Sequence, residues 1–105
     1  MARFDVYRNS GGKVEEVPFL LDVQSDVLSA LDTRVVVPLR RRDRFPAEKV
    51  PSNLMPSVSV EGVEFLLEVP KLAAVPTRVL KQPLTSLQDQ QFTITAALDF
   101  LFKGF

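Results

Sequence analysis

The chain of 105 residues has no cysteine and no histidine, and its 13 basic residues are balanced by 13 acidic ones. Without cysteine there are no disulfides, thiolate nucleophiles or cysteine-based zinc sites. Without histidine the chain lacks the usual general base near neutral pH and the commonest metal ligand. The composition therefore argues against an enzyme, and we expect no catalytic residues, no metal and no cofactor.

Two further absences concern partners and location. A net charge of zero excludes a global cationic field of the kind that wraps DNA. No stretch reaches the roughly 20 apolar residues that a membrane span needs, and the N-terminus lacks the apolar core of a signal peptide. We therefore expect a cytoplasmic protein with no membrane partner. An apolar fraction of 46% in a chain this short predicts one globular domain over residues 1–105.

Short apolar runs between turn residues predict a mainly β protein. Strands at Phe4–Tyr7 and Val17–Val23 should form a hairpin, because two adjacent glycines follow Asn9 and Ser10 between them. A second hairpin is predicted from strands at 57–60 and 63–69 around the two-residue turn Glu61-Gly62. Further strands are expected at Arg34–Leu39 and within Leu72–Leu80, and the stretch from Arg40 to Pro51 is expected to be a loop.

The last element is predicted to be a helix from about Leu87 to Phe102. Thr85 or Ser86 would begin it as an N-cap, with Gln88 or Asp89 as the polar partner three residues on. Four apolar residues, Leu87, Ile94, Leu98 and Leu101, fall on one helical stripe. The predicted fold is an antiparallel β-barrel or sheet with a C-terminal α-helix.

The end of this helix is the part of the sequence most suggestive of binding. It reads Lys103-Gly104-Phe105. Glycine directly after the last helical residue is typical of a helix stop, and a cation there suits the helix dipole. Phe105 has no role in such a stop, so we expect it either to pack onto the body or to contact a partner. Of Phe100 and Phe102, one should face the barrel.

One local run of charge stands out, Arg40-Arg41-Arg42-Asp43-Arg44. It is interpreted either as a solvated loop with an internal ion pair or as a docking surface for an acidic partner. Direct DNA binding through four arginines would be modest and sensitive to salt. The paired carboxylates Asp22 and Asp26 are interpreted as a turn stabiliser and a buried hydrogen-bond acceptor rather than as catalytic groups.

The order of these segments resembles that of the CcdB family. The densest match is Leu21-Asp22-Val23-Gln24-Ser25-Asp26, followed by the apolar pair Val27 and Leu28 and then by Arg34-Val35-Val36-Val37-Pro38-Leu39. The strand Phe4-Asp5-Val6-Tyr7, the segments Leu54-Met55-Pro56 and Ala73-Ala74-Val75-Pro76, and the terminal Phe102-x-Gly104 also fit. The resemblance runs through essentially the whole chain.

This resemblance implies an SH3-like antiparallel β-barrel extended by extra strands, with a C-terminal helix. Proteins of this family are homodimeric toxins of type II toxin–antitoxin modules, and they are not enzymes. They trap DNA gyrase on cleaved DNA by inserting the helix C-termini into the gyrase A subunit. A CcdA-like antitoxin neutralises them, and operator DNA is bound only through the toxin–antitoxin complex.

The resemblance also implies two sets of contact residues. Gyrase would meet the helix tip and the apolar pair, that is Asp99, Phe102, Lys103, Gly104, Phe105, Val27 and Leu28. The antitoxin would lie along the first hairpin tip and the segment after the arginine run, with Asn9, Lys13, Arg42, Arg44, Phe45 and Lys49 as contacts.

The sequence departs from the family at one informative position. The poisoning motif of the family is Trp-Gly-apolar at the C-terminus, whereas this chain has Lys103 in place of the tryptophan. Two alternatives to poisoning therefore stay open. The protein could retain only antitoxin binding and operon regulation, or it could be an endoribonuclease like the MazF toxins, which share the barrel.

Overall fold

A computed structural model describes residues 2–44 and 51–104. Within these ranges the chain forms seven β-strands and one α-helix. The strands are β1 Asp5–Arg8, β2 Phe19–Asp22, β3 Thr33–Arg41, β4 Ser57–Val60, β5 Val63–Leu67, β6 Ala73–Pro76 and β7 Thr85–Ser86, and the helix is α1 Gln91–Lys103.

The sheet is built around the nine-residue strand β3. Its order is β4-β5-β3-β2-β1-β7, every pairing is antiparallel, and β6 also pairs with β3. One edge of β3 pairs with β2 through residues 36–39. Its other edge pairs with β6 through residues 33–36 and with β5 through residues 39–41. Because β3 serves two strands on one edge, the sheet curls into a half-barrel, which confirms the predicted class of a β-barrel with a C-terminal helix.

The main hydrophobic core lies between the concave face of the sheet and α1. Alternate residues of β1 to β5 point into it, as the period of two requires. The helix contributes Ile94 and Ala97, which are its buried residues. The buried members of this core are Phe4, Val6, Leu21, Val23, Val37, Leu39, Val58, Val60, Phe65, Leu67, Val69, Leu87, Ile94 and Ala97.

A smaller apolar cluster covers the other face of the sheet. Tyr7, Val36 and Leu80 are buried there, and Leu20, Val75 and Val79 pack against them half-buried. The sheet is therefore apolar on both sides near its centre, which explains why the sequence runs Val35-Val36-Val37 without alternation.

The central part of the predicted strand pattern is confirmed, but several strand ends differ. The strands of the first hairpin, predicted at Phe4–Tyr7 and Val17–Val23, are Asp5–Arg8 and Phe19–Asp22. The strand predicted at 63–69 ends at Leu67, because Val69–Lys71 turns into a 3-10 helix with Pro70 inside it. The segment 72–80 is a strand only over Ala73–Pro76 and continues as the 3-10 turn Thr77–Val79. In both places a 3-10 turn follows within a few residues of the strand end and lies beside a proline, Pro70 within the first turn and Pro76 directly before the second.

The predicted loop from Arg40 to Pro51 also begins differently. β3 continues through Arg41, and Arg42–Arg44 form a 3-10 turn. The backbone explains this extension, because Arg40 and Arg41 lie opposite Leu66 and Phe65 of β5. Sheet pairing thus incorporates two charged residues that composition alone assigns to a loop.

The predicted N-cap of the helix at Thr85 or Ser86 is wrong. These residues form β7 and pair with Val6 and Asp5 of β1. The Ser86 hydroxyl accepts a hydrogen bond from the N–H of Gln88 at 3.2 Å, but this bond opens only the 3-10 turn Gln88–Gln90. Pairing with β1 outweighs the local helix signal, so α1 begins at Gln91.

The predicted apolar stripe is only partly buried. Leu87 and Ile94 belong to the core and Leu98 packs against it, whereas Leu101 is 36% exposed near the helix end. No helix within the described ranges has the length and apolarity needed to span a bilayer.

The β4–β5 turn provides a first testable prediction. Glu61 and Gly62 both have positive φ, at 51° and 82°, which glycine and asparagine tolerate better than glutamate. We expect Glu61→Asn to raise the free energy of unfolding by about 0.5–1 kcal/mol. Urea unfolding would measure this gain in the free energy of unfolding, whose slope against urea concentration should stay unchanged. Glu64→Asn is the matched control, because Glu64 lies in β5 where asparagine is disfavoured, and it should not stabilise. Equal effects of Glu61→Asn and Glu64→Asn would show that the positive φ at residue 61 is not what limits stability.

Candidate functional site

The C-terminal end of α1 is shaped by Gly104. This residue is in the left-handed region, with φ 82° and ψ 9°, and its N–H donates to the carbonyl of Phe100 at 2.9 Å. A Cβ built on Gly104 would meet nothing within 4 Å, so only the backbone conformation favours glycine there. The glycine therefore ends the helix, as the sequence predicts.

The tip that Gly104 creates presents an apolar side chain to solvent. Phe102 is 72% exposed, whereas Phe100 is half-buried against the body. Lys103 is also exposed, and Asp99 is half-buried on the same end of the helix. The structure therefore brings together four of the residues predicted to contact gyrase, Asp99, Phe102, Lys103 and Gly104. Phe105 lies outside the described residues.

A second apolar surface lies on the loop between β2 and β3. Val27 is 88% exposed, and Leu28 and Leu31 are 47% and 51% exposed. The first two sit on a single 3-10 turn, Asp26–Leu28. The predicted pair Val27 and Leu28 is therefore surface rather than core, and Leu31 enlarges the surface beyond what the sequence indicates.

This loop is anchored at its base by the side chain of Gln24. Its Nε2 donates to the carbonyls of Leu28 at 3.2 Å and Thr33 at 3.3 Å. Its Oε1 accepts from the N–H of Val35 at 3.0 Å. One buried amide thus joins the start, the middle and the end of the loop, and this holds the exposed apolar residues in one arrangement.

The base of the loop also contains a fully buried ion pair. Nη2 and Nε of Arg34 lie 2.7 Å and 2.9 Å from Oδ2 of Asp22, and both side chains are 0% exposed. Nη2 of Arg34 also donates to the carbonyl of Gln24 at 3.2 Å, and Oδ1 of Asp22 accepts from the N–H of Gln24 at 3.0 Å. Asp22 is therefore both the predicted turn stabiliser and a buried acceptor, whereas nothing in the sequence indicates its pairing with Arg34.

Asp26 and Ser25 complete the loop from the outside. The Asp26 carboxylate is largely exposed, accepts from the N–H of Arg3 at 2.8 Å and lies 3.6 Å from Arg34. The Ser25 hydroxyl accepts from the N–H of Val27 at 3.3 Å and so caps the 3-10 turn. The string from Asp22 to Asp26 is therefore a structural unit that presents the two residues after it.

The titratable groups here are suited to structure rather than to proton transfer. Burial raises the pKa of the Asp22 carboxyl, against the opposing effect of the Arg34 and Gln24 hydrogen bonds. Burial, followed by the nearby charges of Asp5 and Asp22, raises the pKa of Tyr7, so its hydroxyl stays neutral at physiological pH. Across residues 2–44 and 51–104, no group of three or more acidic side chains could hold a metal ion.

Two arginines of the run, Arg40 and Arg41, form ion pairs. Arg40 lies 3.0 Å from Glu68 and 3.1 Å from Glu16, and these neighbours raise its pKa against the effect of burial. Arg41 forms an exposed pair with Asp43 at 3.1 Å, which is the internal ion pair that the loop interpretation predicts.

An open cleft of about 480 Å³ lies beside this run. The rings of Phe19 and Phe65 form its apolar side, packed edge to face with centroids 5.3 Å apart. Arg42 lines it, together with Pro18, Arg41, Asp43, Val63 and Glu64. Apolar walls with charges of both signs suit a peptide better than a nucleic acid.

Of the remaining residues predicted to bind antitoxin, three lie within the described part of the chain and two lie outside it. The Asn9 amide is used inside the first hairpin loop, accepting from the N–H of Gly11 at 3.0 Å and donating to the carbonyl of Val17 at 2.8 Å. Lys13 is exposed at a position with φ 62°. Arg44 ends the 3-10 turn that Arg42 begins. Phe45 and Lys49 lie outside the described residues.

These features define a small mainly β protein, a half-barrel with a C-terminal helix whose apolar tip is open to solvent. The family model described as CcdB protein matches residues 3–104. The chain therefore belongs to the CcdB family, which is a family of toxins of toxin–antitoxin systems that act without catalysis.

The buried ion pair generates the second prediction. Arg34→Met leaves the Asp22 carboxylate buried without its cation, so we expect the free energy of unfolding to fall by about 3–5 kcal/mol. Replacing both charges, with Asp22→Leu added, should recover part of that loss because no unpaired charge remains. Chemical unfolding of the single and double variants would measure both effects.

Arg41→Met is the matched control, because it removes an arginine from an exposed pair on the same strand. Its effect should stay within about 0.5 kcal/mol. A loss in Arg34→Met no larger than in the control would show that the buried pair contributes nothing particular to the fold.

Proposed function

We propose that the protein is a homodimeric CcdB-like toxin that poisons DNA gyrase without catalysis and is neutralised by an antitoxin. Membership of the CcdB family supports the toxin class. The observation that best supports gyrase poisoning is the exposed Phe102 beside the left-handed Gly104 at the tip of α1. Because gyrase acts on bacterial DNA, the protein would work in the bacterial cytoplasm.

Poisoning of this kind requires only differential affinity. A protein that binds the cleaved, open state of gyrase more tightly than the resealed state shifts the population toward cleaved DNA. An exposed aromatic side chain at a helix tip is suited to this, because aromatic anchors supply much of the energy of protein interfaces. Gly104 would add close approach, since its Cα carries no side chain.

The apolar loop would provide the second contact. Val27 and Leu28 are held by the Gln24 amide and by the Ser25 cap, so little conformational freedom remains to be lost on binding. Preorganised anchors bind more tightly than mobile ones of equal area. The string from Asp22 to Asp26 would therefore serve poisoning indirectly, through the rigidity of the surface after it.

Lys103 is the weak point of this surface. It stands where the family has a tryptophan, and the loss of a buried aromatic anchor costs roughly 2–4 kcal/mol. An affinity lower by about thirty-fold or more follows. A lysine can instead lie over an aromatic ring of the partner or meet a carboxylate, which would change the preferred target.

The antitoxin would occupy the cleft between Phe19, Phe65 and Arg42. Its apolar walls would take a hydrophobic side chain, while Arg42 and the exposed Lys13 would attract an acidic segment. Operator DNA would be bound through the toxin–antitoxin complex alone, consistent with the zero net charge of the chain.

A second candidate is a CcdB-family protein that has lost poisoning and retains antitoxin binding and operon regulation. Lys103 favours it. Gly104 is compatible with it as well, because the hydrogen bond from Gly104 to Phe100 already accounts for the glycine as a helix end.

An endoribonuclease like MazF has less support. Such an enzyme would need the arginines near Arg40–Arg44 in a basic groove, but Arg40 and Arg41 face Glu16, Glu68 and Asp43. Incubation with cellular RNA tests it, because reproducible site-specific fragments would require this candidate instead.

A gyrase cleavage assay tests the proposal. The protein, DNA gyrase, ATP and supercoiled plasmid are incubated, denatured, treated with protease and scored for linear DNA. We expect linear DNA from the native chain, and from Lys103→Trp at a concentration about thirty-fold lower. Phe102→Ala and deletion of Gly104-Phe105 should abolish or strongly reduce the product.

Phe92→Ala is the matched control, because Phe92 is an 84% exposed phenylalanine of the same helix placed at its other end. It should leave cleavage unchanged. Linear DNA from Lys103→Trp but not from the native chain, with gyrases of several bacteria, would favour the second candidate. No product from either protein would refute gyrase poisoning.

Antitoxin binding provides a separate prediction. Reversing the charge with Arg42→Glu or Lys13→Glu should weaken binding of a CcdA-like antitoxin about five- to tenfold at low salt, with a smaller difference at high salt. Calorimetric titration at two salt concentrations would measure this. Arg78→Glu, an exposed arginine of the 3-10 turn after β6, is the control. If all three variants weaken binding equally, the cleft is not the binding surface.

A further inference from the structure

The side chain of Gln90 makes a paired contact with the backbone of Ser59. Its Oε1 accepts from the Ser59 N–H at 2.9 Å, and its Nε2 donates to the Ser59 carbonyl at 2.9 Å. A primary amide carries the same donor and acceptor as a peptide group. Gln90 therefore bonds Ser59 as a residue of a neighbouring strand would.

The position of Ser59 makes this contact informative. β4 is the terminal strand of the described sheet on its side and pairs with β5 alone. Val60 and Val63 flank a two-residue turn, so they form a hydrogen-bonded pair. In an antiparallel ladder the next pair, Ser59 and Glu64, is then not hydrogen-bonded, and the Ser59 N–H and carbonyl point away from β5. Gln90 satisfies groups that would otherwise be free to pair with another strand.

Apart from its short length of four residues, β4 carries little protection of its own. Proteins guard edge strands with charged residues, proline or bulges, because free N–H and carbonyl groups template pairing with another chain. The strand reads Ser57-Val58-Ser59-Val60, with neither a charge nor a proline within it. Its buried valines alternate with exposed serines, which is a favourable pattern for pairing with a second copy.

The helix receives no cap from the side chain that makes this contact. Gln90 is the N-cap residue of α1, and its side chain makes no capping hydrogen bond. Serine would be a better N-cap, but its side chain is too short to span the distance that the longer Gln90 amide covers. The residue at this position therefore serves the strand rather than the helix.

The contact also crosses the open seam of the half-barrel. A polar cleft of about 330 Å³ lies between the edge of β4 and β7, lined by Ser59, Glu61, Thr85, Ser86, Leu87, Asp89 and Gln90. The two terminal strands of the described sheet face this cleft without pairing to each other. Gln90 bridges the seam from the segment that leads into α1.

We propose that Gln90 is an edge guard. Its amide occupies the strand-pairing groups of Ser59, prevents a second copy of the chain from pairing along β4, and fastens the start of α1 to the β4–β5 hairpin. The inference does not depend on gyrase or on an antitoxin, since it rests on backbone pairing alone.

The test compares variants that separate the two hydrogen bonds to Ser59 from capping of α1. Gln90→Ser removes both bonds to Ser59 and introduces a preferred N-cap residue, whereas Gln90→Glu retains the acceptor and loses the donor. Gln88→Ala is the neighbouring control in the 3-10 turn. Hydrogen exchange of the Ser59 amide is followed by NMR, and the oligomeric state is followed by sedimentation velocity over a range of concentrations.

We expect the Ser59 amide of Gln90→Ser to exchange about five- to tenfold faster than that of the native chain, with Gln90→Glu between the two. Gln90→Ser should also associate with rising concentration beyond the oligomeric state of the native chain, and Gln88→Ala should do neither. Unchanged Ser59 exchange in Gln90→Ser would overturn the proposal. So would faster exchange without added association, because the edge would then be open and still not pair.

Discussion

The buried pair of Asp22 and Arg34 is the constraint on which the loop surface depends. Asp22 ends β2 and Arg34 stands near the start of β3, so the pair closes the base of the loop between them. A buried ion pair adds little net stability over an apolar pair, but a slip in register would separate two buried charges at a cost of several kcal/mol. The pair therefore fixes how β2 and β3 align. That alignment therefore determines where the exposed residues of the loop lie.

The two apolar surfaces are held in different ways. The loop carrying Val27 is fixed by a polar network, in which Gln24 supplies hydrogen bonds and Ser25 a cap. The tip carrying Phe102 is fixed by a single backbone device, the left-handed Gly104. Both exposed apolar residues thus sit on backbone that has already lost its conformational freedom. This arrangement suits binding better than unassisted folding, because exposing a large apolar side chain contributes nothing to stability.

How much the sequence predicts depends on how local each determinant is. The β4–β5 hairpin and the glycine helix stop are local, and both are where the pattern places them. Ser86 looked like a helix cap but pairs with β1, about 80 residues away in sequence, so tertiary pairing overrode a local signal. Nothing in the sequence indicates the side-chain roles of Arg34 and Gln90. Their roles depend on partners, Asp22 and Ser59, that only the folded sheet brings within hydrogen-bonding distance.

Lys103 shows why family membership does not by itself determine activity. The fold requires no particular residue there, because the side chain is exposed and the helix already ends through Gly104. Selection for stability would therefore neither preserve nor remove a tryptophan at this position. The charge of Lys103 suits the negative end of the helix dipole, so the residue is compatible with a tip that binds a target and with one that binds none. The loop surface has retained its buried supports, which cost several kcal/mol to disturb and so persist with or without a target. Of the two surfaces, the helix tip is consequently the one whose sequence the fold constrains less.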